Sequence, residues 1–537
     1  MTCEASADTM LGDFGGATLD YLGIRARMQR GPTGEYLVSF VRAGGAERWQ
    51  ARVERSVGSH RYQQYLARDG DAWLRLPVAW DVEERRWMHM NGAFLTPDPV
   101  EPAPGASGVR ADYDRHVTRW NDNCIYCHNV APNPGLDAAS GRFDSRVAEL
   151  GIACEACHGP GGDHVRRNTS PLRRYALHLG FGRRDPSIVH PGRLSPARSA
   201  DVCGYCHGQR ITADIARVHR DGDAFVPGEP LSSHSRPLAR DTTLNGEPGV
   251  FASRFWNDGT PRLTAYEYQG LLASPCHARG KLTCESCHAM HDSDPASQLR
   301  RDRGGDAMCT ACHAKFAAAN ELRQHTRHDP AGSGARCRAC HMPDIVYGLV
   351  GARISHRIEA PDPAANARDA RPDACTLCHA DRSRAWAITA SKGRAPEATD
   401  DATHDATSGA EIPEVTRMLL AGDPIERAVA AHALGSPASP APVAPRVGLL
   451  LDAMLADDYP AVRATAWRAY RTLLATQSDV RLPAAIAFTP TDARAERETE
   501  VRELASALPA RLLFAPDAAL VANLRPLARA VAIEIGE

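Results

Sequence analysis

Seven copies of one five-residue motif, C-x-x-C-H, set the limits on what this chain can become. They are Cys124/Cys127/His128, Cys154/Cys157/His158, Cys203/Cys206/His207, Cys284/Cys287/His288, Cys309/Cys312/His313, Cys337/Cys340/His341 and Cys375/Cys378/His379. Fourteen of the sixteen cysteines lie in them. Two thiols one helical turn apart can add to the two vinyl groups of a single haem, and the adjacent imidazole is then delivered to the iron. Zinc ribbons also use cysteine pairs spaced by two, but they do not need a histidine directly after every second cysteine. The motifs therefore predict seven covalent haem c groups, with fourteen thioether anchors and seven proximal histidines. The two spare cysteines, Cys3 and Cys276, are expected to be free thiols.

Seven haems between Cys124 and His379 leave no room for an ordinary hydrophobic core there. The porphyrins themselves must be the core, wrapped by short helices and loops. The flanks read differently. Residues 14 to about 95 alternate apolar and polar side chains in short runs such as Tyr36-Leu37-Val38-Ser39-Phe40-Val41, punctuated by Gly31, Gly34, Gly44 and Gly70, which is the pattern of an antiparallel β unit. Pro97 to Gly105 carries four prolines and reads as a stiff linker. Residues 391–411 lack apolar periodicity and read as a flexible one. Beyond them, Pro424-Ile425-Glu426-Arg427-Ala428 recurs 36 residues later as Pro460-Ala461-Val462-Arg463-Ala464. A proline opening a helix, followed by arginine and small alanines, resembles the second helix of HEAT repeats. The expected fold is thus multidomain. Residues 1–105 form a β-rich unit and linker, and 106–390 a haem-dominated α/coil cytochrome c domain. Residues 391–411 form a connection, and 412–537 an all-α, HEAT-like domain suited to docking or scaffolding.

Composition narrows the partners. Of 537 residues, 63 are basic and 65 acidic, a net charge of −2 that offers nucleic acid no basic field. No apolar stretch is long enough to predict a membrane span.

Each iron has a second axial position, and fifteen histidines outside the motifs compete for it. His291 lies one turn beyond His288, too near to cross to the opposite face of the same ring but able to reach a neighbouring haem. His164 follows the second motif on a glycine-rich loop. His325 and His328 precede the sixth motif, and His356 follows it. His404 and His432, in the linker and the helical zone, are read as bystanders.

Several segments resemble a bacterial multihaem cytochrome c family whose haem region is followed by TPR or HEAT repeats. They are Trp120-Asn121, Cys154-Glu-Ala-Cys-His-Gly-Pro-Gly, Cys203-Gly-Tyr-Cys-His-Gly, Glu267-Tyr-Gln-Gly, Ser274-Pro-Cys276, Thr283-Cys-Glu-Ser-Cys-His-Ala-Met-His291, Cys340-His-Met-Pro343 and Tyr347-Gly348. The haem zone is similar to the tetrahaem electron carrier of ammonia oxidisers and, more remotely, to hydroxylamine oxidoreductase and the octahaem reductases. The resemblance implies electron transfer through bis-histidine haems, with catalysis in some relatives. It also implies that His164, His291, His325, His328 and His356 are distal ligands, with His60 and His116 as further carry-overs. His277 stands where the family suggests an aromatic. The C-x-x-C-K motif of ammonia-forming nitrite reductases is absent, and Lys281, Lys315 and Lys392 are the only lysines.

These readings favour an electron carrier in an extracytoplasmic respiratory chain. Its redox partner proteins would dock through a helical tail that is dispensable for the haem chemistry. The alternatives are an oxidoreductase and a haem-based scaffold or sensor. The oxidoreductase would act on a small nitrogen or sulfur compound at one open haem, with Arg173, Arg174, Arg183 and Arg184 attracting anions. Haem is attached to c-type proteins outside the cytoplasmic membrane, so a periplasmic or cell-surface location is expected. The chain opens Met1-Thr2-Cys3-Glu4 without a signal-peptide pattern. Leu11 to Thr18 resembles a stretch that, in the family, lies downstream of a first haem motif. The natural protein is therefore expected to begin upstream, with an export signal and one more haem. Thioether attachment has a direct test: seven haems per exported chain should survive acid–acetone extraction, whereas extractable haem or bound zinc contradicts the assignment.

Overall fold

The computed structural model describes residues 1–98, 112–181, 185–294, 297–392, 412–481, 487–529 and 533. The connections read at Pro97–Gly105 and 391–411 lie outside them from residues 99 and 393 onward, as do Arg183, Arg184 and His404.

The N-terminal unit is one antiparallel sheet of eight strands: β1 (Thr2–Glu4), β2 (Gly15–Tyr21), β3 (Ile24–Arg30), β4 (Tyr36–Arg42), β5 (Glu47–Val57), β6 (Tyr62–Asp69), β7 (Ala72–Asp81) and β8 (Arg86–His89). Strands β2 to β8 pair in sequence order, and β1 adds to β5 with Thr2 opposite Val57. Alternation fixes the inner face: in β3, Ile24, Ala26 and Met28 are buried while Arg25 and Arg27 are exposed. The sheet curls until its ends nearly meet. Trp87 Nε1 of β8 donates to Asp13 O at 2.9 Å, and the Trp87 ring meets Phe14 edge-on at 5.2 Å. Tyr36 and Tyr65 close on the same Phe14 at 4.9 and 5.5 Å, a T-shaped cluster that adds about 0.5–1.5 kcal/mol per pair beyond burial.

The middle of the chain follows on from the sheet. Arg75 N of β7 donates to Thr118 O, Trp120 N donates to Trp73 O, and Trp73 N donates to Asn121 Oδ1, all at 2.7–2.8 Å. Segment 118–121 is therefore tied to the sheet edge, and the buried Cys124 of the first motif packs with Trp73 and Trp120. From there to residue 392 the described helices are short, and the longest, Pro196–Gly204, has nine residues.

The C-terminal helices are paired: Glu414–Ala421 with Pro424–Leu434, and Val443–Ala456 with Pro460–Ala475. Proline occupies the first turn of the second helix in each pair. The helices pack closely because the contact residues are small; a Cβ on Gly435 would stand 2.5 Å from Ala469 Cα.

This region shares its apolar core with the parts before it. Val415, Met418, Leu419, Ile425 and Val429 share one core with Phe251, Phe255, Trp256, Leu263, Tyr266 and Tyr347 of the haem zone. Arg463, fully buried, donates to Asp98 Oδ2 at 2.8 Å and to Pro490 O at 2.7 Å. Arg468 and Arg471 pair with Asp81 and Glu84 of the β unit. Arg262 donates to both oxygens of Asp423 at 2.6 Å, both side chains being buried. Asp423 also caps helix Pro424–Leu434 by accepting from Ile425 N and Glu426 N. Replacing Asp423 with alanine removes the cap and strands the Arg262 charge. The expected cost is about 3–5 kcal/mol, read as a lowered denaturant midpoint with no change in the number of haems attached before unfolding.

Candidate haem sites

Each motif is one helical turn. The histidine N–H donates to the carbonyl of the first cysteine in six of them, at 2.8–3.2 Å, and the other motif forms helix Cys337–His341. This turn brings both thiols and the imidazole to one side, the arrangement that double attachment and proximal ligation of one haem require.

The thiols also give the order of the motifs in space. Cys127 of the first motif is hydrogen-bonded to Cys206 of the third, and Cys203 of the third to Cys284 of the fourth. Cys157 of the second lies in electrostatic contact with Cys203. Cys287 of the fourth is within electrostatic reach of Cys309 of the fifth, which is hydrogen-bonded to Cys337 of the sixth. Cys340 of the sixth is within electrostatic reach of Cys378 of the seventh. The motifs thus form a continuous row in which the third joins the first, second and fourth.

Burial of the motif side chains along this row is uneven. Cys312 and His313 are both exposed, whereas Cys309 of the same motif is half-buried. The reason is local. Cys309 turns toward Cys337, while the second half of the motif runs directly into the short helix Ala314–Ala317, which lies at the surface with Ala314 and Lys315 exposed. The attachment turn is nonetheless kept: His313 N donates to Cys309 O at 2.9 Å, and Cys312 remains within electrostatic reach of Cys287. Among the described residues no aromatic ring or imidazole is paired with the His313 ring. Cys154 of the second motif and the His207 ring of the third are exposed as well.

Elsewhere imidazoles face one another across the row. His291 stands opposite His158 at 6.2 Å between ring centroids, His356 opposite His288 at 6.4 Å, His325 opposite His341 at 6.0 Å, and His328 opposite His379 at 6.1 Å. Two metal–nitrogen bonds of roughly 2 Å each, plus the half-width of each ring, fill such a gap. The residues therefore fit a bis-histidine iron.

Ring orientation agrees with this fit. An imidazole that donates from Nδ1 keeps the Nε2 lone pair for a metal. His158 Nδ1 bonds to Val189 O at 2.7 Å, His288 Nδ1 to Ser297 O at 3.1 Å, His341 Nδ1 to Glu359 O at 2.7 Å and His328 Nδ1 to Thr326 O at 2.8 Å. Burial lowers the pKa of His288, His356 and His379, and that of His128 to about 4, which favours the neutral, ligating form. His207 differs: the Glu267 carboxylate beside its Nδ1 raises its pKa to about 9.

The other candidates from the sequence are placed elsewhere. His164 is half-buried on helix Gly162–Arg167 with Nδ1 on Asp185 Oδ2 at 3.1 Å. His60 is exposed on the turn between β5 and β6, bonded to Ser59 Oγ. His116 is closed into the β unit. Its Nε2 meets Thr96 Oγ1 at 2.9 Å, its ring stacks on Phe94, and burial lowers its pKa to about 3. His60 and His116, carried over as ligands from the resemblance, thus lie on a surface turn and in a hydrogen-bonded core position. Among the described residues no motif ring is paired with either.

Two histidines passed over in the sequence take ligand-like positions. His277 anchors Nδ1 on Leu282 O at 2.7 Å, and the neighbouring Cys276 is in electrostatic contact with Cys309. His190 comes within 6.4 Å of His158, nearly perpendicular to it. The sequence signal for His277 was its position just before a motif, the same kind of signal that marked His325 and His328. Arg173 of the predicted anion-attracting group lies 3.8 Å from Asp185 and is already partnered there. Cys3, in β1, and Cys276 are both half-buried free thiols. Among the described residues no group of three or more His, Cys, Asp or Glu side chains converges as a zinc site would need.

Residues 275–318 match the doubled CXXCH motif family. Over 262 residues, 45% of this chain, the sequence is 23% identical to the multiheme cytochrome MtrA of Shewanella baltica (strain OS185). That alignment spans 66% of the relative's own length. No solved structure matches. Motif family and relative together support a multihaem c-type cytochrome with covalently bound haem c.

The facing rings make a specific prediction. Replacing His291 with alanine should convert one haem of the array, that of Cys154/Cys157, from low-spin to high-spin in the ferric electron paramagnetic resonance spectrum. An unchanged low-spin spectrum removes His291 from the axial set.

Proposed function

We propose that this chain carries electrons along seven haem c groups, most of them held between two histidines, in an extracytoplasmic respiratory chain. The observation that carries this reading is the succession of motifs whose thiols lie within hydrogen-bond or electrostatic reach of the next, while imidazoles face each other at 6.0–6.4 Å. When bound, haem supplies a reversible one-electron couple at iron. The protein supplies everything else. Fourteen cysteines, two to each porphyrin, fix the groups in place. The motif histidines would hold each iron from one side, and His291, His356, His325 and His328 are placed to hold four of them from the other. A filled axial pair leaves no coordination position for a substrate, so these sites favour passing an electron over transforming a bound molecule.

The helix pairs of residues 412–537 are read as HEAT-like repeats. Their inner faces brace the haem zone and the β unit, which leaves their outer faces to receive a redox partner protein. Attachment chemistry places the protein in the periplasm or at the cell surface. Among the described residues no helix is long and apolar enough to cross a membrane.

The competing reading is an oxidoreductase acting on a small nitrogen or sulfur compound at one open haem, and the holoprotein separates the two. An electron carrier shows low-spin ferric haems and a spectrum unmoved by nitrite, hydroxylamine or tetrathionate. It also reduces and reoxidises reversibly across a broad range of potential. A high-spin haem whose spectrum shifts with one of those compounds, together with its turnover, establishes the enzyme instead.

A further inference from the structure

Motif histidines differ in what holds the ring nitrogen that faces away from the iron. His158, His288 and His341 each turn Nδ1 toward a neutral backbone carbonyl. His207 turns it toward a carboxylate: Glu267 Oε2 lies 3.6 Å from His207 Nδ1, a charge contact just beyond hydrogen-bond length. That oxygen is buried and has no hydrogen-bond partner. Oε1, by contrast, accepts from Ala265 N at 3.2 Å.

The contact is built into the fold. Glu267 opens the short helix Glu267–Ala273, and the next residue docks this helix onto the third motif. Tyr268 N donates to His207 O at 2.9 Å, and Tyr268 Oη donates to Asp201 Oδ1 at 2.6 Å. The Tyr268 ring lies where side chains at Gly204 and Gly208 would otherwise be; a Cβ on Gly204 would stand 2.5 Å from Tyr268 Cδ2, and one on Gly208 3.1 Å from Tyr268 Cδ1. Both glycines of Cys203-Gly-Tyr-Cys-His-Gly thus admit the tyrosine that sets Glu267 beside His207. Gly270 of the same helix is packed against His356, and Glu267 lies within electrostatic reach of His288 and His356. One carboxylate therefore sits between the third motif and the axial pair of the fourth.

We propose that Glu267 is a positioning residue that lowers the redox potential of the haem held by Cys203, Cys206 and His207. A negative charge beside Nδ1 stabilises positive charge on the ring and so makes the imidazole a stronger donor through Nε2. Its charge also favours ferric iron, which carries one positive charge more than ferrous. The effect falls at the junction of the row, because the thiols of this motif are bonded to those of the first and fourth and lie within electrostatic reach of the second. A lowered potential there keeps electrons from resting at the branch point and drives them outward to the arms.

This inference rests on haem occupying the third motif, and it is tested on the exported holoprotein by spectroelectrochemical titration of all its haems. Glu267→Gln, which keeps the shape and removes the charge, should leave seven haems attached and move one component of the titration to higher potential. The component of the fourth motif should follow by a smaller amount. Glu267→Asp, which withdraws the charge by one methylene, should give a smaller upward shift; it is read alone if the glutamine variant fails to load. A titration superimposable on the wild type, or a downward shift, in whichever variant is loaded overturns the proposal. Fewer than seven haems in the wild-type protein would instead overturn the seven-haem reading, independently of Glu267.

Discussion

The hydrogen bond from a histidine Nδ1 to a main-chain carbonyl is the contact on which the haem zone depends. It fixes the tautomer, leaves Nε2 unprotonated, and sets the angle at which the ring addresses a metal. Val189, Ser297 and Glu359 supply these carbonyls from loops that carry no recognisable motif, and Thr326 supplies one from the last residue of the short helix Ala319–Thr326. The loops of this zone are therefore not filler between attachment sites. Their irregular backbone leaves carbonyls free that a helix or sheet would have consumed, and those carbonyls aim the ligands.

A region with few long helices needs support from outside, and two flanking bodies provide it. On one side the curled sheet holds segment 118–121 by main-chain hydrogen bonds and buries the first motif against Trp73 and Trp120. On the other, helix pairs merge their apolar faces with Phe255, Trp256, Tyr266 and Tyr347. Buried arginines join the three parts. Arg262 reaches Asp423, Arg463 reaches Asp98, and Arg427 pairs with Asp457 beneath the repeats. Such pairs contribute less by net attraction than by the cost of breaking them, since a lone buried charge is expensive, so they tie the parts into one relative position. The helices thereby brace the fold.

Arginine accounts for nearly all the basic residues, and its fork suits this bracing. Arg463 meets the two oxygens of Asp98 with two different guanidinium nitrogens while its Nε reaches Pro490 O, a spread that a single lysine nitrogen could not make. Arg262 reaches both oxygens of Asp423. Glu267 stands apart from these pairs because its partner is the motif histidine His207 rather than an arginine. A buried carboxylate thus braces the fold where it faces an arginine, and in our proposal tunes a ligand where it faces the ring of His207.

Local chemistry was legible in the amino-acid order. The cysteine spacing determined which residues can hold haem, since two thiols and an imidazole must share one turn whatever surrounds them. Alternation in Tyr36–Val41 marked a strand, and Pro424 and Pro460 marked two helix starts, because these signals act over a few neighbouring residues. Identical spacing could not tell the buried first motif from the fifth, whose Cys312 and His313 face solvent, because burial depends on what packs over a turn. The resemblance suggested His291 and His356 together with His60 and His116, and nothing local separates these histidines. Only the tertiary structure did so: His291 faces His158, more than a hundred positions earlier in the chain, whereas His116 turns inward to Thr96 and Phe94. The order of the motifs along the row, the core shared with the C-terminal helices and the placing of Glu267 at His207 were decided in the same way. Each is a contact between segments far apart in the chain, set by how the parts pack, and residue spacing carries no record of that packing.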